Sequence, residues 1–131
     1  MFPSKKFFPT LFNDLTSLTY LDLHSAQLTS LDSTIFNNLI NLVYLGMDSN
    51  ELTTLDSTTF YSLINLQYLE LQYNKLTKLD PTIFKNLINL QKLHLHSNQL
   101  KSLDPASFKN LINLTTLYLS GNRLNIGSNY F

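Results

Sequence analysis

Residues 66–89, LQYLELQYNKLTKLDPTIFKNLIN, are followed directly by residues 90–113, LQKLHLHSNQLKSLDPASFKNLIN, and the two stretches share one pattern. Leucine, asparagine, aspartate and phenylalanine recur at matching places, 24 residues apart. The same period extends in both directions, with units starting at Leu18, Leu42, Leu66, Leu90 and Leu114. A repeat of this length indicates a solenoid, in which each unit forms one coil that stacks on the next.

The start of each unit predicts a short strand. Two apolar residues, such as Leu69 and Leu71, alternate with polar ones, which is the pattern of a strand with one buried face. Identical spacing makes successive strands parallel, and parallel strands need a crossover, which the rest of the unit supplies. We therefore predict an α/β fold, a curved right-handed solenoid with a parallel sheet on its concave face and short helical or 3-10 turns on its convex face.

The other recurrent residues have predicted structural roles. A buried asparagine after each strand can hydrogen-bond backbone groups of its own and the neighbouring coil. An aspartate in the second half of the unit suits an N-cap, and in two units a proline follows it at the first helical position. One phenylalanine per unit is expected to stack as a spine on the wide side of the core. The three rows are Asn50, Asn74, Asn98 and Asn122; Asp32, Asp56, Asp80 and Asp104; and Phe12, Phe36, Phe60, Phe84 and Phe108.

The 131 residues are expected to form a single domain. We expect it to divide into an N-terminal partial unit or cap, four full units and a degraded C-terminal unit or cap: 1–17, 18–41, 42–65, 66–89, 90–113 and 114–131.

Composition argues against several classes of protein. Nine Lys plus Arg balance nine Asp plus Glu, so net charge favours neither nucleic acid nor an anionic membrane as a partner. Cysteine is absent, which removes disulfides, thiolate metal sites and a cysteine nucleophile. Residues 1–12 lack the apolar stretch of a signal peptide or membrane span. We expect no cofactor, no nucleic-acid partner and no direct membrane insertion.

With its pattern laid out, the chain resembles the 24-residue "typical" class of leucine-rich repeats over roughly residues 7–131. Toll-like receptor ectodomains, small leucine-rich proteoglycans and variable lymphocyte receptors belong to that class. The resemblance implies a horseshoe-shaped binder of protein ligands without catalytic activity, in an extracellular or ectodomain setting. Members commonly carry cysteine-rich caps, which this chain lacks, and without cysteine or a signal peptide an intracellular location stays open.

The candidate ligand-binding surface is the concave strand face, because its outward residues differ from unit to unit while the framework hardly changes. Five strands about 4.8 Å apart give a patch roughly 20 Å wide, which suits a peptide or the edge of a protein. The predicted ligand-binding residues are Tyr20, Asp22, His24, Tyr44, Asp48, Tyr68, Glu70, Gln72, Lys92, His94, His96 and Tyr118.

Within this face, Tyr20, Tyr44 and Tyr68 are predicted to form a stripe on neighbouring strands, which offers contact area at low entropic cost. The alternative is that tyrosine simply suits a half-exposed strand. Charge is also uneven, and we hypothesise a polarised groove that sets ligand register. A solvated face with a weak pair between Glu70 and His94 is the alternative. The charged residues are Asp22, Asp48 and Glu70 on the early strands and Lys92, His94 and His96 on a later one.

Signals for chemistry are weak. His94 and His96 could chelate zinc only if Glu70 or Tyr118 joined them, so we predict no metal site. The sequence contains no nucleophile beside a base, no carboxylate pair in a predicted pocket and no glycine-rich phosphate loop. We therefore predict a non-catalytic protein- or peptide-binding module of the receptor or recognition type. The alternative is a structural or self-assembling repeat protein that associates through its ends or its concave face.

Overall fold

The computed structural model describes residues 7–125. Five parallel strands form one sheet in chain order, with successive strands in register at steps of one repeat, so that Leu21 pairs with Leu45 and Leu45 with Leu69. The predicted parallel-stranded solenoid is confirmed. The strands are β1 Tyr20–Asp22, β2 Tyr44–Gly46, β3 Tyr68–Glu70, β4 Lys92–His94 and β5 Thr116–Tyr118.

The core runs as a continuous column along the inside of the coils. The central leucine of β2, β3 and β4 is fully buried, and so is the apolar residue two positions further on in each of these units. Backbone pairing continues past the strands themselves, since the Leu23 N–H donates to the Gly46 carbonyl at 2.7 Å. Each coil therefore buries its apolar side chains largely against its neighbours, as a solenoid requires.

The phenylalanine spine is present, and its spacing gives the molecule its curvature. Successive rings from Phe12 to Phe108 stack with centroids 6.4 to 6.5 Å apart. Parallel strands are only about 4.8 Å apart, so the coils spread toward the phenylalanine side. The strand sheet is consequently the concave surface.

The aspartate of each full unit organises the turn onto the convex side. Asp104 caps a 3-10 helix, Pro105–Phe108, by accepting a hydrogen bond from the Ala106 N–H at 2.9 Å. In the three earlier units the equivalent residues form hydrogen-bonded turns instead of a helix. There the aspartate accepts from a threonine: the hydroxyl and N–H of Thr58 both donate to Asp56, and these bonds hold the pKa of its carboxyl below the ordinary value.

The asparagine ladder joins each coil to the one before it. The Asn74 side-chain amide donates to the Met47 carbonyl of the preceding coil at 3.0 Å and to the Leu71 carbonyl of its own coil at 3.1 Å. Its carbonyl oxygen accepts from the Leu52 N–H at 3.1 Å. The residue before each ladder asparagine has positive φ, for example Ser49 at 58°, which turns the chain inward.

Two further asparagine rows, to which the sequence pattern assigned no role, join the coils on the outer side. The first row donates to the backbone of the preceding coil, as Asn65 does to the Ile40 carbonyl at 2.8 Å. The second row does the same, as Asn38 does to the Asn13 carbonyl at 3.1 Å, although Ser62 interrupts it. Side-chain amides thus connect the coils on both sides of the core.

Replacing Asn74 with alanine should lower the free energy of unfolding by about 3 kcal/mol. It leaves the buried Leu52 N–H without its acceptor and removes one of the two amide donors from each of the Met47 and Leu71 carbonyls. Asn38→Ala is the matched control. It removes one exposed hydrogen bond and should cost less than about 1 kcal/mol. Urea denaturation followed by circular dichroism measures both. Equal losses would contradict the structural role of the inner ladder.

Candidate functional site

Three rows of outward side chains cross the concave face, and all twelve residues of the predicted binding face lie in them. The rows occupy the third, fifth and seventh positions of the repeat. Strand pairing sets Tyr20 beside Tyr44, Tyr44 beside Tyr68, and Tyr68 beside Lys92. The three rows are Tyr20, Tyr44, Tyr68, Lys92 and Thr116; Asp22, Gly46, Glu70, His94 and Tyr118; and His24, Asp48, Gln72, His96 and Ser120.

The tyrosine stripe is an ordered aromatic surface. Tyr20 and Tyr44 stack with centroids 4.3 Å apart and planes 8° from parallel. Lys92 Nζ lies 5.5 Å from the centroid of the Tyr68 ring, in a cation–π contact. Tyr20 is 58% exposed, whereas Tyr44 and Tyr68 are half-buried by their neighbours. The stripe therefore presents to the solvent aromatic rings whose positions are fixed by contacts with neighbouring side chains.

Tyr44 is also held by a carboxylate on the next strand. Its hydroxyl donates to Glu70 Oε2 at 2.7 Å. Partial burial, and then this hydrogen bond and the charge of Glu70, raise the pKa of the Tyr44 phenol far above its ordinary value. The phenol therefore stays neutral as a donor, and Glu70, for which a weak pair with His94 was one of two alternatives, accepts a hydrogen bond from Tyr44.

Gly46 provides the space that this arrangement needs. A Cβ built on Gly46 would lie 2.7 Å from Asp22 Oδ1 and 2.9 Å from the Tyr44 hydroxyl. The missing side chain lets the Tyr44 hydroxyl and the Asp22 carboxylate approach the strand backbone. Sequence reasoning left Gly46 out of the site because a glycine offers no functional group of its own.

A second aromatic cluster lies over β4 and β5. The His94 ring is 4.7 Å from the Tyr118 ring and 5.6 Å from the His96 ring, measured between centroids. Tyr73, which was absent from the predicted site, joins the cluster edge-on to His96 at 5.5 Å. Its sequence signal was that its position carries serine or glycine in the other units. Tyr73 has φ of 57°, a conformation that costs free energy in a bulky residue.

The histidines of the concave face differ in their electrostatic surroundings. His24 Nδ1 lies 2.8 Å from Asp22 Oδ1, and the hydrogen bond and charge of Asp22 raise the pKa of His24 above 6.5. Burial lowers the pKa of His94 below 6.5, and the positive charge of Lys92 contributes in the same direction. Mild acidification therefore charges His24 before His94.

The concave face holds a shallow hollow of about 270 Å³ between the tyrosine stripe and the second aromatic cluster. Tyr68, Glu70, Lys92, His94 and Tyr118 line most of it. A larger hollow of about 590 Å³ lies at the N-terminal end, beside Phe7 and Phe8. We favour the smaller one as part of the site, because Asp32 and Asp56, the carboxylates of the larger one, serve their own turns.

Within residues 7–125, no group of three or more His, Asp or Glu side chains could hold a metal ion. His94 and His96 are thus brought together without a third such ligand. In the same part of the chain, none of the helical structure has the length and apolar character that crossing a membrane demands.

The repeat framework and its strand geometry agree with comparisons to known proteins. The family model described as "Leucine rich repeat" matches residues 16–76 and 64–124. The chain belongs to the leucine-rich repeat family, whose members generally serve as non-catalytic binding domains. A search of curated protein sequences gave no match.

Solved structures of the same fold are similar over most of this chain. The leucine-rich repeat domain of APL1 is 27% identical with a TM-score of 0.90, and 93% of this chain matches 32% of that one. The leucine-rich repeat domain of APL1B is 26% identical with a TM-score of 0.82, and 96% of this chain matches 38% of that one. TLR13, solved in complex with ssRNA13, is 29% identical with a TM-score of 0.84, over 89% of this chain and 16% of its own. The chain thus spans about a third of the APL1 domains.

Substituting Gly46 with alanine should disturb the site without unfolding the protein. The added Cβ displaces the ends of two side chains, Asp22 and Tyr44, so stability should stay within about 1 kcal/mol of the native value. Near-ultraviolet circular dichroism should lose the signal of the stacked Tyr20 and Tyr44 rings. Glu70→Gln is the control, since it keeps both tyrosine rings and changes only the carboxylate that accepts from Tyr44. An unchanged spectrum for Gly46→Ala would count against the close approach of Asp22 and Tyr44 to the Gly46 backbone.

The surroundings of the histidines predict the order in which they titrate. In an NMR titration of the imidazole protons, His24 should have its midpoint above 6.5 and His94 below it. Asp22→Asn should bring the midpoint of His24 down toward 6.5, while Glu70→Gln should lower that of His94 further. The chain contains three histidines, so the signals are few enough to assign by substitution. The reverse order of midpoints would refute this account.

Proposed function

We propose that this protein is a non-catalytic recognition module that binds a protein or peptide ligand on its concave strand face. The observation that carries the proposal is the tyrosine stripe, in which Tyr20 and Tyr44 are stacked and Tyr44 is further fixed by Glu70. Rings that are ordered before binding lose little side-chain entropy when a ligand covers them. Exposed aromatic rings of this kind are typical anchors of protein interfaces.

The shape of the face favours an extended chain over a small molecule. Its hollow of about 270 Å³ is shallow and lies near the lower limit of small-molecule pockets. It has the size for one or two side chains of a larger ligand. A strand-like peptide that crosses five strands at about 4.8 Å spacing would cover the face with about six residues.

Charge indicates how such a ligand would be oriented. The three rows contain three carboxylates and one lysine, so the face repels phosphate groups at neutral pH, and we propose no nucleic-acid ligand although TLR13 was solved with an RNA. The carboxylates belong to the coils of β1, β2 and β3, and Lys92 lies on β4. A ligand with basic residues over the early strands and an acidic residue near Lys92 would be complementary, and this polarity would set its register.

Selection of random peptides displayed on phage against the full chain tests the proposal. The peptides have about 12 residues, because an extended peptide of that length is longer than the concave face is wide. Selected peptides should carry basic residues. Their affinity should fall at least tenfold, about 1.4 kcal/mol, when Tyr44 and Tyr68 are both replaced by alanine. Fluorescence polarisation with synthetic peptides measures the loss.

Tyr61→Ala is the matched control, because Tyr61 lies outside the three rows of the concave face, where its ring contacts Lys85. It should leave peptide affinity unchanged. Circular dichroism must show that the double variant is folded. Equal affinity of the double variant and the wild type would refute concave-face recognition, and tighter binding of single-stranded RNA than of any selected peptide would refute a protein ligand.

A further inference from the structure

A row of exposed isoleucines runs along the edge of the solenoid where the chain returns from the convex side to the strands. One isoleucine comes from each of four successive coils, and each is about half exposed or more, which is unusual for an aliphatic side chain repeated in line. We call this row the isoleucine ridge. It consists of Ile40, Ile64, Ile88 and Ile112, which are 49%, 48%, 49% and 78% exposed.

The ridge is rigid because asparagines of the outer row donate hydrogen bonds to its backbone carbonyls. Asn65 donates to the carbonyl of Ile40, Asn89 to that of Ile64 and Asn113 to that of Ile88, each at 2.8 Å. Three of the four ridge residues, Ile40, Ile64 and Ile88, are therefore tied to the following coil. An apolar row that is already ordered loses little conformational entropy when another surface covers it.

Charge divides the chain into two halves along the solenoid axis. Residues 1–72 contain seven of the nine acidic residues and only two basic ones, Lys5 and Lys6. Residues 73–131 contain the other seven basic residues and only two acidic ones, Asp80 and Asp104. The acidic half contains Asp14, Asp22, Asp32, Asp48, Glu51, Asp56 and Glu70, and the basic half contains Lys75, Lys78, Lys85, Lys92, Lys101, Lys109 and Arg123.

We propose that the isoleucine ridge is the interface of a homodimer, in which two copies of this chain pack edge to edge in antiparallel orientation. The partner is a second copy because the surface is self-complementary in its apolar row and in its charge. Its apolar row matches itself under a two-fold rotation, and the same rotation sets the acidic half of one copy beside the basic half of the other.

The orientation follows from the charge division. A parallel arrangement would bring the two acidic halves together, whereas the antiparallel one brings the acidic half of each chain alongside the basic half of the other, an effect that is largest at low salt. With the two-fold axis between the second and third ridge positions, Ile40 meets Ile112 of the second copy and Ile64 meets Ile88 of the second copy. This register covers all four ridge residues of each chain.

The dimer is expected to be weak. A standard stable interface buries about 800 Å² on each partner, and four partly exposed isoleucines supply only part of that area. Side chains close to the ridge in sequence, among them Tyr61, Lys85 and Lys109 three positions before a ridge isoleucine, must supply the rest. The ridge also lies off the concave face, so dimerisation and ligand binding are separable.

Sedimentation of the full chain tests whether the ridge associates. Between about 5 μM and about 500 μM, in about 0.05 M NaCl, the weight-average mass should rise from 15.1 kDa toward twice that value. Ile64→Asn combined with Ile88→Asn should hold the mass at 15.1 kDa. Tyr73→Asn is the matched control, because it removes an exposed apolar side chain away from the ridge at a backbone conformation that asparagine tolerates, and it should sediment as wild type.

A wild type that stays monomeric throughout, or a double isoleucine variant that still dimerises, would overturn the proposal. Raising the salt to about 0.5 M should weaken the dimer, since charges contribute to it. The Tyr44→Ala and Tyr68→Ala double variant should dimerise normally. If it does not, the association uses the concave face and the ridge proposal is wrong.

Cysteine cross-linking tests the orientation, and it is simple because the chain contains no cysteine. An Ile40→Cys chain mixed with an Ile112→Cys chain should form a disulfide-linked heterodimer under mild oxidation. Each variant alone should not, because in the antiparallel register identical positions near the ends lie about 14 Å apart or more, beyond the reach of a disulfide. Efficient self-cross-linking of either single variant would show a parallel arrangement and overturn the proposal.

Discussion

The contact between one coil and the next is the interaction on which this molecule depends. A single 24-residue unit has too few apolar groups to enclose a core, and its leucines become fully buried only between two neighbouring coils. The requirement that each coil match the next explains why the framework residues repeat so closely. A change in one coil would misfit both of its neighbours.

Polar groups are the second constraint, since a coil that turns inward carries backbone N–H and carbonyl groups into the core. The ladder asparagines solve this with one side chain that both donates and accepts, as Asn74 does between the coils of Met47 and Leu71. Asparagine suits the position because its amide offers two donors and one acceptor oxygen on a short side chain. The outer rows use the same chemistry where the coils are spread by the phenylalanine spine.

With the framework occupied by packing and hydrogen bonding, specificity is left to the residues that face outward. On the concave face these residues are aromatic and charged, and many contact one another: Asp22 with His24, Tyr44 with Glu70, and Lys92 with Tyr68. Such contacts organise the surface before any ligand arrives. Because Asp22, Glu70 and Lys92 take part in these contacts, the charge difference between the early and the later strands comes largely from groups that already have a neighbouring partner.

The repeat in the sequence was enough to establish the solenoid, the parallel strands, the inner asparagine ladder and the phenylalanine spine, because each depends only on spacing and residue type. It also identified the rows of the concave face, since strand alternation determines which side chains point outward. Spacing could not show which side chains touch across strands. That Tyr44 bonds to Glu70, that Gly46 leaves space for both Tyr44 and Asp22, and that Tyr73 reaches His96 all depend on distances between coils. Only the tertiary structure decides these contacts, because side chains one repeat apart in sequence become neighbours only after the coils have stacked.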